Sequence, residues 1–174
     1  MREMLVGTCS TNLRDLHRDV WRLASSTADR TAGRSFQFAV FPDTNQGRTR
    51  ALIRGDHLPA QHSREMSPLV AGGIYEFRAD IRAVSRSDRG EIDLTRQQAE
   101  EWVTRKLTGM SVQTLQCGPL QVRWLDTGHL KFRAIAGTVR IQDVEQATHV
   151  LRTGIGRSKA FGFGMVVLAH ETID

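Results

Sequence analysis

His17 carries the first chemical suggestion in this sequence. It stands four residues before Trp21, with Arg14 and Arg18 on the adjoining flank of one amphipathic stretch. An imidazole with a reference pKa of ~6.5 can take or give a proton near neutral pH. Guanidinium groups bind phosphate through two parallel hydrogen bonds. The grouping therefore suits proton transfer beside a phosphate. It also fits a histidine half-packed against Trp21, since residues four apart touch on a helix.

The second suggestion is the run Gly154, Ile155, Gly156, Arg157, Ser158, Lys159, Ala160, Phe161, Gly162, Phe163, Gly164. Its glycines allow positive φ angles and close backbone approach, and Arg157 and Lys159 add two cations. Such a loop can present N–H groups to a phosphate chain. It is not a dinucleotide fingerprint, which needs glycine where Lys159 stands and follows a strand rather than a helix. It is not a P-loop either, because no GK[ST] occurs. A tight helix-to-strand turn with incidental charges remains open.

Other groups offer less. His57 and His62 flank a loop without metal-ligand partners at useful spacing. His129, His149 and His170 read as surface or strand-end residues. No HExxH or DxD pattern occurs, so no metal or cofactor is expected. Cys9 and Cys117 form no CxxC pair and read as buried free thiols.

The net charge is +5, and only Lys106, Lys131 and Lys159 among the 24 basic residues are lysine. Between 123 and 170 seven basic residues face three acidic ones. That bias suits a polyanionic partner, although a GC-rich genome also favours arginine. No apolar run approaches the ~20 residues that span a bilayer. The first nine residues lack a signal peptide's apolar stretch. A cytoplasmic protein with no membrane partner is expected.

The elements that must position these groups follow from periodicity. A strand is predicted over 4–9, then a helix capped by Asn12 and running to Ala24, with Leu13, Leu16, Val20, Leu23 and Ala24 inward. Residues 35–41 and 48–54 read as paired strands, and 58–67 as a loop or a single helical turn. The 75–83 stretch alternates apolar and charged residues, as a strand with one buried face does. Thr95 caps a helix to Leu107. Residues 112–124 read as a hairpin broken at Cys117, Gly118 and Pro119. Residues 131–141 read as a long strand pair or a bent strand with a bulge at Gly137. Asp143 caps a third helix with Val144, Ala147, Val150 and Leu151 inward, and Gly154 stops it. The last strand is 165–169. The order predicts an α+β protein of two tandem ferredoxin-like (RRM-like) βαββαβ halves, the N-terminal one truncated, at residues 1–70 and 71–174.

The glycine run resembles the C-terminal signature GxGxxKAFGxGLL of CRISPR repeat-processing endoribonucleases, in particular the CasE family, the RNA-processing subunit of type I-E Cascade. Three further segments are similar to that family in the same order. Leu13 to Leu23, with His17 and Trp21, resembles its "YxLHxxLW" helix, and Ala99 to Leu107 its "AxWLxRKL" helix. Gly137 to Asp143 resembles its "EGxLxVxD" strand.

The resemblance implies a metal-independent endoribonuclease that uses the RNA's own 2′-hydroxyl, leaves a 2′,3′-cyclic phosphate and retains the cut RNA. His17 matches the family's catalytic histidine, and Lys159 is a candidate for charge stabilisation. Arg14 stands where the family has tyrosine; it is expected either to replace it as an electrostatic clamp or to mark a weakened site. Arg18, Arg123, Lys131, Gly154, Gly156, Arg157 and Ser158 are expected to bind RNA. The implied partners are a CRISPR repeat stem-loop and other Cascade-type subunits. Two rival readings are an inactive cap that only holds the hairpin, and a ferredoxin-like protein binding a small phosphate compound.

Overall fold

The computed structural model describes residues 1–8, 13–24, 36–43, 48–88, 90–125 and 128–169. The first sheet contains β1 (Arg2–Thr8), β2 (Phe36–Asp43), β3 (Arg48–Gly55) and β4 (Arg64–Glu65), in the order β2-β3-β1-β4. All its pairings are antiparallel. One helix, α1 (Leu13–Ala24), connects β1 to β2. Leu16, Val20 and Ala24 repeat every four residues, and all three bury against Met4, Phe36, Phe38, Ala51 and Ile53. Burying a side chain such as Leu16 or Val20 contributes roughly 1.5–3 kcal/mol.

The second sheet repeats this order. It contains β5 (Ile74–Ile81), β8 (Met110–Cys117), β10 (Gly128–Ile141) and β11 (Val167–Ala169), arranged β11-β5-β10-β8. Between them lie a hairpin, β6 (Val84–Ser87) with β7 (Gly90–Asp93), then α2 (Arg96–Lys106), β9 (Gln121–Leu125) and α3 (Val144–Thr153). Numbered within each half, both sheets read 4-1-3-2, the antiparallel ferredoxin-like order. Phe77, Ala79 and Ile81 alternate toward α2 and α3, where Ala99, Val103, Ala147, Val150 and Leu151 meet them.

Both helices of the second half start on side-chain caps. Thr95 Oγ1 accepts from the Gln98 N–H while the Gln98 side chain accepts from the Thr95 N–H. Asp143 accepts from the Gln146 N–H.

Several expectations need correction. The 58–67 stretch holds a 3₁₀ turn (Ala60–His62) and also β4, which pairs with β1 and completes the first sheet. The short strands β6 and β7, which form a hairpin closing at Ser87 and Gly90, were not expected. β8 and β9 both pair with β10, not with each other, because β10 is long enough to pair with each in turn. The register shift between β8 and β10 falls where Thr138 and Val139 oppose Thr114 and Val112, so the extra residue is Gln113 of β8 rather than Gly137. Gly137 instead permits close approach, since a Cβ there would collide with the Thr114 carbonyl. Leu23 and Val144 are exposed rather than inward. Cys9, Asn12 and His170 lie outside the described residues. No helix among the described residues is long and apolar enough to cross a membrane.

The open faces of the two sheets meet through Ala39, Phe41, Leu52, Met165 and Val167. A buried polar lock sits nearby. Arg54 donates to Glu3 at 2.6 and 2.9 Å, and to the carbonyls of Leu151 (3.0 Å) and Val166 (2.8 Å). Burial pulls the Arg54 pKa down while Glu3 opposes the shift. Gln37 also donates to the carbonyls of Leu151 and Arg152. Two side chains of the first sheet thus satisfy carbonyls at the end of α3, where the glycine-rich loop begins.

Candidate active site

α1 turns one face to the first sheet, and His17 lies at the edge of that face. Its half-buried ring sits among three aromatic rings, with centroids 6.1 Å from Trp21, 6.4 Å from Phe38 and 6.2 Å from Phe161. Trp21 is the expected helical neighbour. Phe38 comes from β2, and Phe161 arrives from the glycine-rich loop of the other half. His17 Nδ1 is buried with no hydrogen-bond partner. A buried unpaired polar atom is costly, and a native structure that keeps one has a reason to do so.

The loop follows α3 and is built to reach α1. Gly154 ends α3 at φ 66°. Gly162, at φ 84°, lies so close to β2 that a Cβ there would come within 2.8 Å of Val40 and 2.9 Å of Phe38. Between them a 3₁₀ turn (Lys159–Phe161) aims Phe161 at His17. The N–H groups of Gly154, Ile155, Phe161, Gly162 and Gly164 are spent on the carbonyls of Val150, Gly164, Ser158, Lys159 and Asp80. The stretch 156–160 lies between these anchored N–H groups.

The remaining sequence candidates fall into three places. Lys159 sits in the turn that carries Phe161, and its Nζ donates to the carbonyls of Thr153 (2.7 Å) and Gly154 (3.1 Å). That puts a cation on the negative end of the α3 dipole. Arg18 is exposed on α1 and paired with Asp15 at 2.6 Å. Arg14 lies on α1 one turn before His17, with its side chain outside the described residues.

At the far end of the loop, Arg157 pairs with Glu91 of β7, which also takes Arg82 at 2.6 Å. Arg82 donates to Ser158 Oγ at 3.2 Å, and Ser158 adopts the left-handed region at φ 58°. Gly156 packs against Trp102 of α2, where a Cβ would come within 2.9 Å of the indole.

The β9–β10 hairpin holds the third group. Lys131 pairs with Asp93 at 3.0 Å. Arg123 points inward, lying 4.7 Å over Phe132 and 5.1 Å over Phe163 and pairing with Asp80 at 3.2 Å. Burial pushes the Asp80 carboxyl up, and Arg123 pulls it partway back. Leu130 and Phe132 cluster with Phe163, and Phe161 packs against them. The loop thus joins the His17 cage to the inner face of this hairpin.

The sequence reading assigned no role to Phe38, Phe161, Glu91, Asp93 or Asp80. The alternation of Phe161 and Phe163 within the quoted motif was the available signal for the aromatic pair. The carboxylates gave none, because each meets its cation across a long stretch of chain.

Two sheets of ferredoxin-like order, joined by a glycine-rich loop that delivers an aromatic ring to a helix histidine, define the class. The chain belongs to the CRISPR-associated protein family, whose model matches residues 3–170. No curated protein matches it. Among solved structures it is similar to Thermus thermophilus Cse3 bound to an RNA representing a pre-cleavage complex, at 19% identity and TM-score 0.75, covering 97% of this chain and 98% of that one. It is likewise similar to Cas6e from Escherichia coli str. K-12, at 18% identity and TM-score 0.75, over 97% and 99%. A chain of a CRISPR RNA-guided surveillance complex aligns at 22% identity and TM-score 0.71, again over 97% and 99%. At these identities the likeness establishes the tandem fold.

Proposed function

We propose that this protein is a metal-independent endoribonuclease that binds CRISPR repeat hairpins in precursor RNA, cuts them to mature guides and keeps the product within a Cascade-type complex. The observation that carries the reading is the His17 ring, held by aromatic groups from both halves with Nδ1 sealed and unpaired. Proton exchange with a substrate then runs through Nε2, in one fixed ring orientation. Family membership and neighbours described as CRISPR endoribonucleases bound to RNA support the chemistry, and favour an enzyme over an inactive cap.

The reaction balances without a metal. The 2′-oxygen attacks the adjacent phosphorus as its proton leaves. The bond to the 5′-oxygen breaks, and that oxygen takes a proton. The products are a 2′,3′-cyclic phosphate and a 5′-hydroxyl. His17 is the proton-transfer group. Arg14 and Lys159 stabilise the charge that builds on the phosphate, Lys159 from its anchored place at the end of α3. Arg18, Arg157, Lys131 and the backbone of Gly156 and Ser158 hold the RNA, with the units dividing at 1–70 and 71–174; Gly154 and Arg123, expected to join them, are instead engaged inside the fold, Gly154 with Val150 and Lys159 and Arg123 with Asp80, Phe132 and Phe163. Recognition of the stem rests on shape and backbone, because the A-form major groove is deep and narrow.

The test is labelled repeat RNA incubated with the protein in EDTA, with and without 2′-deoxy substitution at the cut site. Cleavage that the deoxy substitution abolishes is expected. Binding without cleavage identifies a cap, and cleavage that EDTA abolishes, or that persists with the 2′-deoxy substitution, rules out this chemistry.

A further inference from the structure

The β9–β10 hairpin has an inner face committed to the loop and an outer face on which only Lys131 has been given a role. Cross-strand partners on an antiparallel ladder share a face. Arg123 opposes Leu130, and Gln121 opposes Phe132; Leu130 and Phe132 are buried against Phe163. The alternate pairs, Trp124 with His129 and Val122 with Lys131, face outward. Trp124 is 72% exposed, an unusual state for the largest apolar side chain. The His129 ring lies 5.3 Å from it at a tilt of 57°, and most of the indole surface stays open to solvent.

We infer that Trp124 is a stacking platform for one nucleobase of the bound RNA that has an open face, either unpaired or ending the stem. Stem bases are covered on both sides by their neighbours, so only such a base can lie flat on an indole. The surroundings fit a nucleotide better than a protein partner. Lys131 and the polar ring of His129 share the face, and a cation beside an exposed aromatic ring is the composition of single-strand nucleic-acid sites. The hairpin's inner face is tied through Phe163 and Phe161 to the His17 cage. A base seated on Trp124 therefore fixes where the strand runs relative to the cut. The inference rests on the proposed RNA-processing reading and deepens it by assigning a base-binding position.

The probe is the host's own CRISPR repeat RNA, made uncleavable by a 2′-deoxy group at the cut site. Trp124→Ala is expected to weaken its binding roughly 5- to 100-fold, the range for losing one stacked base. Trp124→Phe is expected to keep most of the affinity. A series of abasic substitutions should contain one position that weakens wild type by a similar factor and adds nothing to Trp124→Ala. The side chain is exposed, so the thermal midpoint of Trp124→Ala should match wild type. Unchanged RNA affinity in Trp124→Ala overturns the inference, as does a loss coupled to no abasic position. Normal RNA affinity with lost association to other subunits assigns the face to a protein partner and overturns it too. Failure of the wild-type protein to bind the hairpin defeats the functional reading itself; failure confined to Trp124 defeats only this inference.

Discussion

Phe161 meets His17 ring to ring, at 6.2 Å between centroids, although the two belong to different halves of the protein. Phe161 is also the point where the first core and the Leu130, Phe132, Phe163 cluster touch. The glycine-rich loop therefore acts as a positioning device for the histidine as well as a carrier of charge. Truncating the ring by Phe161→Ala should slow single-turnover cleavage about 10- to 100-fold, the scale for a small misplacement of a reacting group. Phe161→Leu should recover part of the rate. A full rate in Phe161→Ala would mean that the cage does not orient His17.

Arg14 stands where the pattern this sequence resembles has tyrosine. On the proposed reading Arg14 clamps the developing phosphate charge, and Arg14→Ala should then lose about 100-fold in single-turnover rate at saturating protein. Arg14→Tyr, which restores the family residue, should keep at least partial activity. An unchanged rate constant in Arg14→Ala would limit this residue to anchoring.

Glu91 holds both Arg157 and Arg82, and on the proposed reading RNA must compete with it for Arg157. Exposed ion pairs are worth 0.2–1 kcal/mol, so Glu91→Gln should tighten hairpin binding roughly two- to fivefold at moderate salt. Binding to phosphates should still weaken steeply as salt rises. A weaker complex in Glu91→Gln would show instead that the carboxylate holds Arg157 in its binding pose.

The strand 74–81 and the helices 96–106 and 144–153 were legible because their patterns are local. Tyr75, Phe77, Ala79 and Ile81 alternate, Thr95 and Gln98 form a capping box, and Asp143 and Gly154 bracket α3. β4 was not legible, since two exposed residues carry no periodicity and gain a partner only when β1 is beside them. The β6–β7 hairpin is polar on both faces, which hides the alternation. Of the site, His17 and the glycine loop were legible through a family pattern. Their joining through Phe161, the pairing of Lys131 and Arg157 with β7, and the inward turn of Arg123 arise from contacts distant in sequence.

Asp80 gives a pH dependence with a definite sign. Its folded pKa is raised above the ordinary 3.8, chiefly by burial. The folded state then holds this proton more tightly than the unfolded chain. The carboxyl's stabilising contribution is complete in acid and is lost as pH climbs through the raised value. Asp80→Asn stays neutral, so it should gain stability relative to wild type from about pH 4 to about pH 7. Thermal melts across that range check it, and a relative loss would mean that the pair with Arg123 outweighs burial.

The central claim is that His17 transfers the proton in a metal-free cut. The direct measurement is single-turnover cleavage of repeat RNA in EDTA by wild type and by His17→Ala, with hairpin affinity measured alongside. His17→Ala should lose at least ~100-fold in rate while binding stays within about twofold. An undiminished rate in His17→Ala, with wild-type binding, would contradict the account.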